Sequence, residues 1–147
     1  VIKAKISDDF LHTDISLFSG VSISVNEGSV LLTGNVEKPE QRVQATQISW
    51  NARGVIEVIN EIDVTDKSSL KEFGKDQMAA AQLRAKLIMD QNISSINFSV
   101  DVVNGTVYLS GIASTEDEKQ AVALHARNLR LAQEVVNYIR VDDDDRQ

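Results

Sequence analysis

Apolar residues recur along this chain with two distinct periods. Phe98, Val100 and Val102, and then Val107 and Leu109, alternate with polar residues, the period of a half-buried strand. Asn104-Gly105 lies between the two runs and is a strong two-residue hairpin signal. From Gly74 to Asp90 the composition favours helix, and Ala80, Leu83 and Leu87 fall on one stripe. Ser114-Thr115-Glu116-Asp117-Glu118 supplies an N-cap and an acidic first turn, which predicts a second helix running to about Leu131. Residues 135–141 then read as a last strand.

The same order occurs earlier in the chain. Displacing the sequence by 77 positions aligns its halves without a gap: Val25, Gly28, Val30, Leu32 and Gly34 meet Val102, Gly105, Val107, Leu109 and Gly111. Further on, Glu57, Val58, Asn60, Ile62 and Val64 meet Glu134, Val135, Asn137, Ile139 and Val141. Identities that cluster at glycines and alternating apolar sites identify a tandem duplication. In the first unit Glu27-Gly28 takes the hairpin position. Its second helix opens at Pro39, suited to a first turn, and closes at Gly54 as a C-cap. Its first helix begins at or before Val1, with Ile6, Phe10 and Leu11 as the visible part.

Each unit therefore reads as α-β-β-α-β, an α+β fold: a three-stranded mixed sheet with two helices on one face, the parallel link being a right-handed crossover. The first unit covers 1–65, a linker 66–74, the second unit 75–142 and an acidic tail 143–147. Leu70 and Phe73 are expected to dock the linker onto a domain surface. Units this small bury little core and are expected to lean on one another.

Composition narrows the function. The 147 residues carry 15 Lys plus Arg against 22 Asp plus Glu, a net charge of −7, which argues against a general nucleic-acid binder. Cysteine is absent, which removes disulfides, thiolate nucleophiles and Cys-type metal sites. The chain begins at Val1 without an initiator Met, which reads as removal of something upstream and leaves room there for a signal or lipid-anchor segment without pointing to either.

The duplicated pattern, V-x-V-x-x-G-x-V-x-L-x-G followed by a helix and G-V-x-x-V-x-N-x-[IL], resembles the BON domain of bacterial envelope proteins. The first unit carries it as Ile23, Val25, Gly28, Val30, Leu32, Gly34, Gly54, Val55, Val58, Asn60 and Ile62. The second carries Val100, Val102, Gly105, Val107, Leu109, Gly111, Val135, Asn137 and Ile139, but has Leu131-Ala132 where the pattern has Gly-Val. Its second helix is therefore expected to end differently. Two units in this order look like dual-BON outer-membrane lipoproteins. The resemblance implies a periplasmic protein, tethered by an N-terminal lipid anchor and supporting envelope integrity. It also implies that the first helix of the second domain binds anionic phospholipid, with an aromatic residue commonly standing where this chain has Met78.

The residues of that helix can be read on their own. Met78, Ala81, Ala85 and Met89 form a second apolar stripe away from Ala80, Leu83 and Leu87, bordered by Ile88, Lys71, Lys75 and Lys86. An apolar stripe flanked by lysines suits an interfacial helix. Residues 67–90 carry five basic and three acidic groups, whereas 1–66 carry five basic and ten acidic. Packing on the other domain would also account for the stripe, and lipid binding is expected to be weak without an anchor. The runner-up is an envelope protein–protein adaptor using this helix or a surface at Val43 and Trp50, which are expected to be exposed or to meet the second domain.

Other candidates carry less. His125 aligns with Ile48 and is expected to be a structural, hydrogen-bonded histidine, while His12 is alone near Asp14. Asp142 to Asp145 read as a solvated acidic run. There is no Walker or dinucleotide loop, no G-x-S-x-G and no paired histidine, so neither catalysis, a cofactor nor a metal is expected. A KH-like nucleic-acid module would need a G-x-x-G loop, and none is present.

Overall fold

The computed structural model of the protein describes residues 1–66 and 70–142. The predicted linker residues 67–69, the side chain of Leu70 and the tail 143–147 lie outside the described residues. The chain divides into two compact units after Asp66.

In the first unit, α1 (Ile2–Thr13) and a short α2 (Ile15–Gly20) precede β1 (Val21–Asn26), β2 (Ser29–Val36), α3 (Pro39–Asn51) and β3 (Glu57–Val64). β1 pairs antiparallel with β2, and β2 pairs parallel with β3, giving the order β1-β2-β3. The hairpin turn at Glu27-Gly28 has positive φ at both residues, as a tight two-residue reversal requires. α2 was not expected. Asp14 creates it, because its carboxylate accepts from the Ser16 N–H at 2.9 Å and starts a new helix where α1 stops. Ile6, Phe10 and Leu17 are fully buried, whereas Leu11 is exposed.

The second unit repeats the plan with α4 (Leu70–Met89), a single 3-10 turn (Ser95–Asn97), β4 (Phe98–Val103), β5 (Thr106–Ala113), α5 (Glu116–Arg127), β6 (Glu134–Asn137) and β7 (Arg140–Val141). β4 pairs antiparallel with β5, while β6 and β7 both run parallel to it. The predicted last strand is thus interrupted. Asn137 turns its side-chain oxygen onto the Ile139 N–H at 2.9 Å. α4 starts at Leu70, inside the segment read as linker, and so contains Gly74 and the half-buried Phe73.

Both second helices end earlier than expected. α3 stops at Asn51, and Gly54 shapes the following turn at φ 92° instead of capping the helix. α5 stops at Arg127 and uses Asn128 in a right-handed conformation, so Leu131 needs no positive φ where Gly54 stands in the first unit.

The repeated glycine of the middle strand has a steric reason. Gly34 and Gly111 lie at φ 120° and 134°, and a Cβ on them would overlap the carbonyl oxygens of Gly20 and Asn97. Gly74 has open space around it. Gly111→Ala should therefore cost about 2–3 kcal/mol in urea unfolding. Gly74→Ala should gain about 0.5–1 kcal/mol, since it only removes a helical glycine.

Candidate functional site

α4 is two-faced. Ala79, Ala80, Leu83 and Leu87 are buried against the second unit's core, which includes Phe98, Val100, Val107, Leu109 and Val122. Leu83 and Leu87 each contribute about 1.5–3 kcal/mol by leaving water. The polar member of this face is Asp76, whose carboxylate accepts from the N–H groups of Asn104 at 2.8 Å and Gly105 at 3.0 Å. Both donors belong to the β4–β5 hairpin turn, so Asp76 fixes the rotation of α4 about its axis. Arg84 donates to the Val100 carbonyl at 2.7 Å and ties the helix to the edge strand β4.

With that rotation set, the opposite side of α4 faces away from the unit's core. Met78 is 58% exposed, Ile88 70% and Met89 80%, and Ala81 and Ala85 between them are also exposed. The exposed lysines Lys71, Lys75 and Lys86 line one flank of this stripe. Lys75 approaches Glu72 at 3.9 Å, a loose surface pair of little energetic weight. The structure thus brings together on one helix face the seven residues named from the sequence: Lys71, Lys75, Met78, Ala81, Ala85, Lys86 and Met89.

Ile96 was missed. It is 61% exposed in the 3-10 turn and lies beside Ile88. It shares no helical or strand period with α4, so periodicity alone gave no signal for it.

Val43 and Trp50 are corrected: they are 6% and 3% exposed and offer no open surface. α3 packs on β2, β3 and α1, so more than one of its faces is covered. Thr46 shares their stripe, and the Asn60 amide of β3 donates to its hydroxyl at 2.7 Å. The motif glycines Gly28, Gly34, Gly54, Gly105 and Gly111 all adopt positive φ and serve turns and close approaches within the fold.

Each histidine has a hydrogen-bond partner in its own unit. His12 sits beside Asp8, not Asp14, with Nδ1 at 2.7 Å from the Asp8 carbonyl oxygen. His125 Nε2 lies 2.8 Å from Asp90 Oδ2 and joins α5 to the end of α4. Among the described residues no group of three or more His, Asp or Glu is placed to hold a metal ion. Nor is any described helix long and apolar enough to cross a membrane.

The His125 hydrogen bond, followed by the Asn92 N–H, holds the Asp90 carboxyl below its ordinary range. A lowered folded-state value means that the stabilisation is complete above the unfolded aspartate value of about 3.9 and lost as pH falls through the folded value. Urea midpoints should place Asp90→Asn below the unsubstituted protein at pH 7, and the gap should narrow below about pH 4. A gap independent of pH would contradict this assignment.

A model of the BON domain matches residues 1–66 and again residues 75–143. The "Uncharacterized protein in gshII 5'region" of Anaplasma centrale is 37% identical over 126 residues, 85% of this chain and 83% of that protein. The outer membrane lipoprotein DolP of Haemophilus influenzae is 30% identical over 122 residues, 83% of this chain. The osmotically-inducible protein Y of Escherichia coli is 26% identical over 127 residues, also 83% of this chain. The matches span 62% of DolP and 63% of protein Y, so these two relatives are considerably longer than the shared region.

Proposed function

The chain belongs to the BON-domain family, one domain in each half, and from that premise we propose a non-enzymatic envelope protein that binds anionic phospholipid through the outward face of α4. The observation that carries this reading is the apolar stripe of Met78, Ala81, Ala85, Ile88 and Met89, opposite the core stripe and flanked by Lys71, Lys75 and Lys86. Such a helix lies in the membrane interface, with its apolar side chains among the acyl chains and its cations at the phosphates.

Magnitudes set the mode of action. Each lysine near an anionic surface contributes about 1 kcal/mol. The chain as a whole carries −7, and its acidic body is repelled by the same surface. Binding by α4 is therefore weak by itself and suited to a protein already held close to its membrane. The similarity to a protein named as an outer membrane lipoprotein supports a periplasmic location with an N-terminal lipid anchor. In this reading α4 adds headgroup preference to a tether, and the role is support of the outer membrane.

Co-flotation with vesicles tests it. The protein should float with phosphatidylglycerol-rich vesicles at low salt, lose most of that binding at moderate salt, and stay behind with purely zwitterionic vesicles. Met78→Ser should weaken flotation about tenfold through lost apolar contact while leaving the unfolding midpoint unchanged. Absence of flotation under all conditions would transfer the α4 face to a protein partner.

A further inference from the structure

A groove opens beside the outward face of α4, and the geometry points to it as the seat of a single acyl chain from an anionic phospholipid. Leu87 and Ile88 of α4, Ser95 and Ile96 of the 3-10 turn, and Phe98 and Val100 of β4 line it, with Arg84 at its border. Its volume is about 210 Å³. An apolar cavity of about 150 Å³ already admits a benzene-sized guest, so there is room for a stretch of one hydrocarbon chain. The same volume falls below the roughly 300–1,000 Å³ of sites that enclose whole small molecules.

Three observations select the occupant. The walls are mostly apolar: two isoleucines, a leucine, a phenylalanine and a valine shape the groove, and Ser95 is the one uncharged polar residue among them, too few polar groups to orient a sugar. The one charged group at the border is the guanidinium of Arg84, held in place by its bond to the Val100 carbonyl, and its charge is opposite to that of a phosphodiester. The groove is also continuous with the proposed lipid-facing stripe, because Ile88 belongs to both and is 70% exposed. A chain leaving the bilayer beside Met89 meets Ile88 and Ile96 first and the buried floor of Leu87 and Phe98 next.

This inference rests on the lipid reading of α4 but makes a separate demand. Surface binding needs only the stripe and the lysines, whereas the groove must recognise a monomeric lipid without any bilayer. The test is methyl NMR of the isoleucine-labelled full chain, titrated with lauroyl lysophosphatidylglycerol below its micelle concentration. The δ1-methyls of Ile88 and Ile96 should shift saturably together, while that of Ile59, exposed on the sheet of the first unit, should stay in place. Glycerol phosphate at the same concentration should move none of them.

Ile96→Asn should weaken the monomer titration about tenfold and leave thermal unfolding unchanged, since Ile96 is largely solvent-exposed. The same variant should keep most of its flotation with phosphatidylglycerol vesicles, which separates the groove from the surface. Unsaturable shifts, equal movement of Ile59, or a response to glycerol phosphate alone would overturn the acyl-chain assignment even where flotation succeeds. Failed flotation with a saturable monomer titration would leave the groove standing and remove the surface reading.

Discussion

Two hydrogen bonds from a hairpin turn to one carboxylate decide which side of α4 meets solvent. Asp76 receives the N–H groups of Asn104 and Gly105, and the turn offers them because both residues adopt positive φ. A carboxylate in the first half of the helix and Leu83 and Leu87 further along leave α4 a single rotation. In that rotation the Met78 stripe points outward and Arg84 reaches the edge strand. Without Asp76 the apolar residues would still be present, and Arg84 and Asp90 would be left as the polar ties that choose between two apolar faces for the core.

The duplication shows how one plan is secured by different chemistry. Glu118 and Gln41 occupy equivalent places in the two units. Glu118 accepts from the N–H groups of Ser94 and Ser114, and so binds the start of α5 to the segment that follows α4. Gln41 accepts from the Lys38 N–H and donates to Asp14, which binds the start of α3 to the start of α2. Asp14 is held below the ordinary aspartate range by this Gln41 bond, followed by the Ser16 N–H. Asn60 and Asn137 likewise recur, each turning its side-chain oxygen to the N–H two residues on. In the first unit the same Asn60 also reaches α3 through Thr46 and the Arg42 carbonyl. These repeated polar residues hold the fold, and α4's outer stripe is the feature that such duties do not explain.

What was legible in the sequence is what depends on near neighbours. The hairpins at Glu27-Gly28 and Asn104-Gly105, the start of α3 at Pro39 and the two stripes of α4 all follow from residues a few positions apart. What was hidden depends on distant partners. Trp50 and Val43 read as exposed or as meeting the second domain, and their burial shows only once the elements around α3 are in place. The role of Asp76 lies 28 residues away in the hairpin, and Ile96 shares a groove with Ile88 only because the 3-10 turn packs beside α4. Helix ends were misplaced for a related reason: Gly54 serves the approach to β3, a tertiary need that mimics a cap in the sequence.

In the proposed function α4 enters a lipid surface with a defined side. Because the chain has no cysteine, single nitroxide labels can be placed at Met78, Ala81, Ala85 and Met89, and at Leu31 on the first unit's sheet. Their accessibility to oxygen and to a water-soluble relaxant should be compared with and without phosphatidylglycerol-rich vesicles. The four α4 labels should gain oxygen exposure and lose relaxant exposure together, while the Leu31 label should stay in water. Labels on α4 that remain as water-accessible on bound vesicles as in solution would contradict it.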